Sequence, residues 1–275
     1  MKVLVIGAGN MGLTYASSIA KSGHLKKEDL MIFDKSLELL ETLKKSNENY
    51  EVYDTLLECL PIADIIFIAV KPYHNDDLMA EMVPFLNDQQ LVISIMAGVT
   101  IETLQKGLGI QKIVRAMPNL PAQVGMGMTS YLAAPEISRI ELWMVEDLLG
   151  CTGKTVRVDS QMFIDASTGI SGSGPAYVFY FMESMMEAAK SMGFSDNDSK
   201  VLVITTFEGA IELFNRNKLS ANSWMKKVAS KGGTTQAALD SLDDNNVKQL
   251  IHDAAYSAFN RAIELGKPSM ELQEK

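Results

Sequence analysis

A short apolar strand that leads directly into a glycine pattern places the strongest constraint on the fold of this chain. The segment KVLVIGAGNMG, residues 2–12, has four consecutive aliphatic residues followed by Gly7, Gly9 and Gly12 in the spacing G-x-G-x-x-G. An aliphatic run without polar alternation is typical of a strand buried on both faces of a parallel sheet. Glycines between such a strand and a helix let the backbone approach a pyrophosphate. Residues 1–160 are therefore predicted to form a dinucleotide-binding Rossmann domain.

The turn and the start of the following helix are the first candidate cofactor site. The predicted helix, about Met11 to Ser22, would direct free amide groups and the positive end of its dipole at the phosphates. A purely structural turn is the alternative, because glycine-rich turns are common. The candidate residues are Gly7, Gly9, Asn10, Met11 and Gly12.

Composition narrows the partners and the compartment. The chain of 275 residues carries a net charge of -9 with a pI near 4.9, which argues against nucleic acid or an anionic membrane as partner. A small anionic substrate is still compatible, because a local field can oppose the global charge. Cys59 and Cys151 have no metal-ligand spacing and are expected to be reduced thiols. No leader or membrane-spanning run is recognised, so we expect a cytoplasmic protein without a metal site.

The end of the second predicted strand bears on the choice of cofactor. Leu30 to Phe33 is followed by Asp34, which stands 22 residues beyond Gly12 (34 − 12), where a ribose-binding carboxylate is expected. Asp34 favours NAD, whereas Lys35 and Ser36 offer a cation and a hydroxyl to the 2′-phosphate of NADP. Both NADP(H) and NAD(H) stay open, and a solvated turn is the non-functional alternative.

Two further segments are expected beside the nucleotide. The strand Ile65 to Val70 ends at a carboxyl edge, so Ala69, Val70, Lys71 and Pro72 would flank the cofactor, although Lys71 could equally be a solvated loop lysine. Asn119, held between two prolines, is a further candidate cofactor residue. Other expected strands are Glu51 to Tyr53, Leu91 to Met96, Ile113 to Met117, Met126 to Leu132 and Lys154 to Val158, with helices near Asp76 to Leu86, from Thr100, and Glu136 to Leu149.

The alternation of strands and helices predicts an α/β fold with a doubly wound sheet, and the pattern changes near residue 160. Residues 161–275 are predicted to form an all-helical domain. Its helices Ala176 to Met192 and Lys200 to Phe214 are so apolar that one small bundle could hardly bury them. We therefore expect a homodimer through the C-terminal helices, with a higher oligomer left open.

Five motifs follow one another along the whole chain, and together they resemble the pyrroline-5-carboxylate reductase family. They are GAGNMG in residues 7–12, AVKP in 69–72, RAMPNLPA in 115–122, IDASTGISGSGPAY in 164–177 and VASKGGTTQAA in 228–238. The resemblance implies a Rossmann domain followed by an interlocked helical dimerisation domain. It also implies reduction of the cyclic imine 1-pyrroline-5-carboxylate to L-proline, with hydride from NADPH or NADH.

The GGTT segment is the candidate substrate site. A Gly-Gly turn that opens a helix exposes backbone amides to an anion, so Ser230, Gly232, Gly233 and Thr234 are expected to hold the substrate carboxylate. By resemblance, Thr235 is the catalytic residue, whose hydroxyl bonds to the imine nitrogen and orients the ring. A plain loop with a helix cap is the alternative.

One departure from the family pattern keeps other functions open. The family usually has proline after the serine, whereas Lys231 stands here and adds a cation near the expected carboxylate. Two alternatives follow: a related imine or hydroxy-acid reductase with a catalytic lysine among Lys190, Lys200 and Lys226, or a non-catalytic nucleotide-binding regulator. The three histidines, His24, His74 and His252, are expected to be surface or packing residues.

Overall fold

The computed structural model describes residues 1–46 and 49–266, in which strands and helices alternate before the chain becomes helical. The strands are β1 Val3–Ile6, β2 Leu30–Phe33, β3 Glu51–Tyr53, β4 Ile65–Ile68, β5 Leu91–Ser94, β6 Ile113–Met117, β7 Gly127–Ala133 and β8 Gly153–Arg157. The helices are α1 Asn10–Ser22, α2 Leu37–Lys45, α3 Leu56–Cys59, α4 Asn75–Met82, α5 Ile101–Leu108, α6 Arg139–Gly150, α7 Gln161–Ser167, α8 Gly174–Ser191, α9 Asp196–Arg216, α10 Ala221–Val228, α11 Thr234–Asp244 and α12 Val247–Leu265.

The described strands form one twisted sheet of the doubly wound kind. Their order is β3-β2-β1-β4-β5-β6-β7-β8, and β1 to β6 are mutually parallel while β7 runs antiparallel to β6. The chain therefore leaves β1 toward β2 on one side and later returns to β4 on the other. This reversal opens a crevice at the carboxyl ends of β1, β2 and β4, where α/β proteins bind ligands. The predicted fold class is confirmed.

The alternation of side chains along the strands divides the core into two layers. Val3 and Val5 face α1 and its residues Tyr15 and Ile19, whereas Leu4 and Ile6 face the opposite layer beneath α4 and α5. All four residues of β1 are buried. Burial on both faces explains why this strand shows no polar alternation, and it holds the start of the glycine turn in place at the end of β1.

Several strands and helices begin or end at residues other than those predicted. The strands predicted to reach Val70 and Met96 end at Ile68 and Ser94, where the chain leaves the sheet to form the crevice. The helix predicted from Glu136 begins only at Arg139. The reason is a capping box, in which Ser138 and Glu141 satisfy each other's backbone amides.

By its internal contacts the chain divides into two compact units. The first contains Met1–Ser173 together with the end of α12 from Ser257, and the second is Gly174–Tyr256. The sheet belongs to the first unit, and α8 to α11 belong to the second. The domain boundary predicted at residue 160 stays a prediction.

The apolar helices of the second unit are not covered within the single chain. No residue of α8 is buried, and Phe179 and Tyr180 are 59% and 71% exposed. This exposure agrees with the expectation that the helices of one subunit could hardly bury these apolar side chains. In the described part of the chain, no helix is both long and apolar enough to cross a membrane.

Candidate active site

The three glycines after β1 differ in how much space surrounds them. A side chain would clash with the backbone at two of them and would find open space at the third. Gly7 has a φ of +97°, and a Cβ there would lie 2.9 Å from the carbonyl oxygen of Ala69. A Cβ on Gly12 would lie 1.8 Å from the carbonyl oxygen of Gly7. Gly9 has an ordinary φ of -71° and open space for 4 Å around its absent Cβ. The chain itself therefore requires glycine at 7 and 12, whereas the free approach over Gly9 suits a ligand.

The start of α1 follows Gly9 directly and has no side-chain cap. Gly9 is the N-cap and provides no side-chain cap, while Asn10 and Met11 begin the helix. The first amides of a helix have no partners within it, and together with the dipole they favour an anion. These open amides suit an anion such as a phosphate, and a cofactor-binding role for Gly9, Asn10 and Met11 stays a prediction.

Asp34 connects the end of β2 to the glycine turn. Its Oδ2 accepts a hydrogen bond from the amide of Ala8 at 2.7 Å, and its Oδ1 accepts one from the amide of Ser36 at 2.9 Å. The amide of Gly7 also donates to the carbonyl of Phe33 at 2.8 Å. Each carboxylate oxygen can accept a further hydrogen bond, so Asp34 is able to hold the turn and still accept a ribose hydroxyl.

The two residues expected to favour a 2′-phosphate already have partners in the chain. Lys35 Nζ lies 2.6 Å from Glu81 Oε1 in an exposed ion pair. The hydroxyl of Ser36 accepts the amide of Leu39 and caps α2. Of the two, Lys35 lines the crevice.

A cavity of about 280 Å³ at the carboxyl ends of β1, β2 and β4 is lined by seven of the thirteen predicted cofactor residues, and the ones that do not line it are Asn10, Met11, Gly12, Ser36, Pro72 and Asn119. These features fit a nicotinamide dinucleotide. The space over Gly9 and the uncapped helix start suit its phosphates, and the Asp34 carboxylate suits a ribose hydroxyl. The lining residues are Ile6, Gly7, Gly9, Phe33, Asp34, Lys35, Ala69, Val70, Lys71, His74, Asp77 and Leu78.

On the β4 side, the cavity is lined by Lys71, which was predicted as a cofactor residue, and by His74, which was not. Within the described residues, no carboxylate pairs with the ammonium group of Lys71. Pro72 begins a short 3-10 turn, Pro72–His74, and does not itself line the cavity. His74 does, although its sequence context had indicated a surface or packing residue. Its position three residues after Lys71, beyond a strand end, was the signal that could have identified it.

Asn119 is committed to bonds within the chain and does not line the cavity. Its Oδ1 accepts the amide of Met128 at 2.8 Å, and its Nδ2 donates to the carbonyl of Ser171 at 3.0 Å. These bonds hold the proline-flanked segment against β7 and the turn after α7. A cofactor-binding role for Asn119 stays a prediction.

Arg115 is fully buried in β6, which the sequence pattern did not indicate. Its guanidinium group contacts Asp165 at 2.5 Å and Gln161 at 2.8 Å, both on α7. A charge is buried only when it is paired, so these contacts attach α7 to the sheet. Arg115 therefore has a structural role in the first unit.

The GGTT segment opens α11 in the second unit. Gly232 has a φ of +72°, which favours glycine, and a Cβ on Gly233 would lie 2.5 Å from the hydroxyl oxygen of Ser230. Gly233 is the N-cap and provides no side-chain cap, so the first amides of the helix, including those of Thr234 and Thr235, are open. This geometry suits a carboxylate.

Nucleophilic cysteine and metal chemistry find no support in the described residues. Burial raises the pKa of Cys59 to about 12, and burial also raises the pKa of Cys151. Neither thiol is activated as a nucleophile, which requires a lowered pKa. No group of three or more histidine, cysteine, aspartate or glutamate side chains there could hold a metal ion.

Comparison with known proteins identifies the family. Residues 161–265 match the family model described as pyrroline-5-carboxylate reductase dimerisation, and residues 2–98 match NADP oxidoreductase, coenzyme F420-dependent. A pyrroline-5-carboxylate reductase from Staphylococcus haemolyticus is 32% identical over 271 residues, covering 97% of this chain and 98% of the relative. The chain belongs to the pyrroline-5-carboxylate reductase family. The predicted resemblance is confirmed.

Solved structures of this family have the same fold along nearly the whole reductase chain. Plasmodium falciparum pyrroline carboxylate reductase, solved with NADP bound, is 30% identical with a TM-score of 0.87, covering 97% of this chain and 98% of that one. A pyrroline-5-carboxylate reductase from Coxiella burnetii is 30% identical with a TM-score of 0.88, covering 97% and 99%. The predicted class, an oxidoreductase dependent on NADPH or NADH, is confirmed, and the chain carries a dimerisation domain.

Proposed function

We propose that the chain reduces 1-pyrroline-5-carboxylate to L-proline with NADH or NADPH. The observation that carries this proposal is the uncapped GGTT turn at the start of α11, in a chain that its relatives match from end to end. The substrate presents a carboxylate and a ring imine, so the site must hold an anion and orient the imine carbon toward a hydride donor. The bound cofactor supplies the hydride.

The cofactor cavity of the first unit supplies the groups that would hold the dinucleotide. The amides at Gly9, Asn10 and Met11 would bind the pyrophosphate, and Lys71 adds a cation that no described carboxylate neutralises. Asp34 would accept hydrogen bonds from the ribose. Val70 lines the same cavity beside Gly7 and would offer an apolar contact to a flat ring.

The GGTT turn would hold the substrate carboxylate. The Gly233 amide already donates to the Ser230 carbonyl at 3.0 Å, so the open amides of Thr234 and Thr235 would hold the carboxylate, with the Ser230 and Thr234 hydroxyls as further donors. Lys231 adds a positive charge beside this turn, where the family usually has proline. Its charge favours the anionic substrate and does not conflict with the proposed reaction.

Thr235 is the residue proposed to contact the reacting nitrogen. It lies in the first turn of α11, and its hydroxyl would fix the ring orientation by a hydrogen bond with the imine nitrogen, donating to the neutral imine or accepting from the protonated one. A threonine hydroxyl is too weak an acid to be the net proton source, so the proton is already on the imine or comes from water. Much of the rate then comes from holding the imine carbon close to the hydride donor.

We further propose that two copies pair through the C-terminal helices, in the cytoplasm. The exposure of Phe179 and Tyr180 on α8, in a segment matched by a dimerisation model, supports the pairing. Sedimentation of the full chain at micromolar concentration tests it. A species with the mass of one chain would contradict it, whereas a dimer or a multiple of the dimer agrees with it.

The experiment that tests the reaction follows the absorbance of reduced nicotinamide with and without 1-pyrroline-5-carboxylate. Oxidation that depends on the substrate and yields proline is the expected result. If the chain binds NADH or NADPH but oxidises neither with this imine, the proposed reaction is wrong. The regulator, or a reductase of another imine or keto acid, then becomes the better description.

A further inference from the structure

We infer that this chain binds NADH in preference to NADPH, and that the fixed carboxylate of Asp34 determines the preference. The inference rests on the proposed function only in that it concerns the same cofactor cavity. The relative from Plasmodium falciparum was solved with NADP bound. Four observations at the end of β2 favour the opposite choice for this chain.

The first observation is that Asp34 cannot turn away from the cavity. Its two oxygens are held by the amides of Ala8 and Ser36, at 2.7 and 2.9 Å, one on each side of the carboxylate. Its negative charge is therefore part of the cavity wall. A ribose 2′-hydroxyl can donate to it, whereas a 2′-phosphate at neutral pH offers only acceptor oxygens and negative charge.

The second observation is that the nearby cations are balanced by carboxylates. Lys35 pairs with Glu81 at 2.6 Å, and Lys44 pairs with Asp54 at 3.8 Å. Asp34, Asp77 and Lys71 also line the cavity, so four carboxylates and three ammonium groups leave one net negative charge (3 − 4 = −1). Exposed pairs are weak individually, so the decisive term is this balance rather than the strength of either pair.

The third observation concerns the start of α2, which could otherwise receive a phosphate. The amide of Ser36 donates to Asp34, and the amide of Leu39 donates to the hydroxyl of Ser36. These donors are already satisfied within the chain. A 2′-phosphate could not use either of these two donors without breaking a hydrogen bond that already exists.

The fourth observation is a second cavity of about 300 Å³ that shares Phe33 with the first. Apolar side chains line it together with two carboxylates, which suits an uncharged adenine ring and adds no cation for a phosphate. The lining residues are Phe33, Asp54, Thr55, Leu56, Leu57, Glu81 and Phe85. The Lys35–Glu81 pair joins the two cavities, because each partner lines one of them.

Lys71 does not change this conclusion. It follows β4, whereas Asp34 follows β2, and these strands lie on opposite sides of β1. We assign Lys71 to the pyrophosphate, which NADH and NADPH share. A cation there raises affinity for both cofactors and does not discriminate between them.

The test measures the dissociation constants of NADH and NADPH by nicotinamide fluorescence, with the full chain and no imine present. We expect NADPH to bind at least about tenfold more weakly, because like charges placed together cost that much or more. Equal binding, or tighter binding of NADPH, would overturn the inference. Since no imine is present, this result is independent of whether the proposed reaction occurs.

Asp34→Asn separates charge from structure, because the amide oxygen can still accept from Ala8. We expect this variant to lower the ratio of the NADPH to the NADH dissociation constant by about tenfold. Glu81→Gln should move the ratio in the same direction, since it frees Lys35. The matched control is Asp64→Asn, which removes one charge before β4, at the opposite end of the strands, where it bonds the amide of Lys2 at 2.6 Å.

The thermal midpoint of each variant shows whether its fold is retained. An unchanged ratio in Asp34→Asn with a retained fold would overturn the inference, as would an equal change in Asp64→Asn. A ratio that moves in Asp34→Asn and Glu81→Gln but not in Asp64→Asn is the expected result.

Discussion

The amide of Ala8 donates a 2.7 Å hydrogen bond to the carboxylate of Asp34, so the residue after β2 also holds the glycine turn after β1. Asp34→Ala removes this acceptor and the one for the Ser36 amide. We expect the free energy of unfolding to fall by about 1–3 kcal/mol, chiefly because the part-buried Ala8 amide loses its partner, whereas the Ser36 amide is exposed to water. Urea titration measures it. Asp34→Asn should lose less, and an Asp34→Ala variant as stable as the wild type would show that water replaces both bonds.

The glycines of the turn offer a matched pair of substitutions with opposite consequences. Gly9→Ala adds a methyl group in open space at an ordinary φ, so the free energy of unfolding should change little. Affinity for both NADH and NADPH should fall, because the methyl group lies where the pyrophosphate would approach. Binding by nicotinamide fluorescence and urea unfolding are measured on the same protein.

Gly12→Ala is the counterpart, since its methyl group would meet the Gly7 carbonyl oxygen at 1.8 Å. Overpacking of this kind typically costs about 1–3 kcal/mol of stability. If Gly9→Ala is the destabilised variant and Gly12→Ala is not, the assignment of the open and closed sides of the turn is wrong.

The hydroxyl of Thr235 should matter for turnover and not for cofactor binding. We expect Thr235→Ala to lower kcat by about a hundredfold, the typical effect of removing one donor aimed at a reacting group. Thr235→Ser keeps a hydroxyl and should restore most of the rate. NADH binding, measured without substrate, should match the wild type in both variants. Unchanged turnover in Thr235→Ala would remove the role assigned to this residue.

Local sequence pattern was sufficient for the elements that frame the site. Gly7 and Gly9 lie between β1 and α1, Gly12 lies in the first turn of α1, and Asp34 follows β2 in the cavity wall, as the pattern predicts. These features are readable because each depends on neighbours in sequence: an aliphatic run, a glycine spacing, a strand end. The handedness of parallel connections then fixes the face of the sheet on which each connecting helix lies.

The partners of side chains were not readable, because they lie far away in sequence. Lys35 was weighed as a phosphate ligand, but Glu81, 46 residues later, pairs with it. Asn119 was assigned to the cofactor, yet its amide bonds to Met128 and Ser171. A short pattern shows that a residue is polar and near a strand end. It does not show which side chain or backbone group, distant in sequence, forms a hydrogen bond or ion pair with that residue.

The capping box of α6 gives the first unit a specific sensitivity to acid. Burial alone would raise the pKa of Glu141, but hydrogen bonds from Lys112 and Ser138 outweigh it, so the pKa lies below its usual 4.5. Glu141 contacts Lys112 Nζ and the Ser138 amide, both at 2.8 Å. Because the folded pKa is lowered, this stabilisation is complete above pH 4.5 and is lost as the pH falls through the folded value.

Glu141→Gln removes that ionisation and keeps the shape of the side chain. At neutral pH the variant should be less stable than the wild type, and the difference should shrink as the pH falls below 4.5, where the wild type loses its own carboxylate. Urea unfolding of both proteins across this range measures the difference directly. A difference that stays constant with pH would mean that the glutamine disturbs the helix by another route, since only the charged form of Glu141 can account for a difference that disappears in acid.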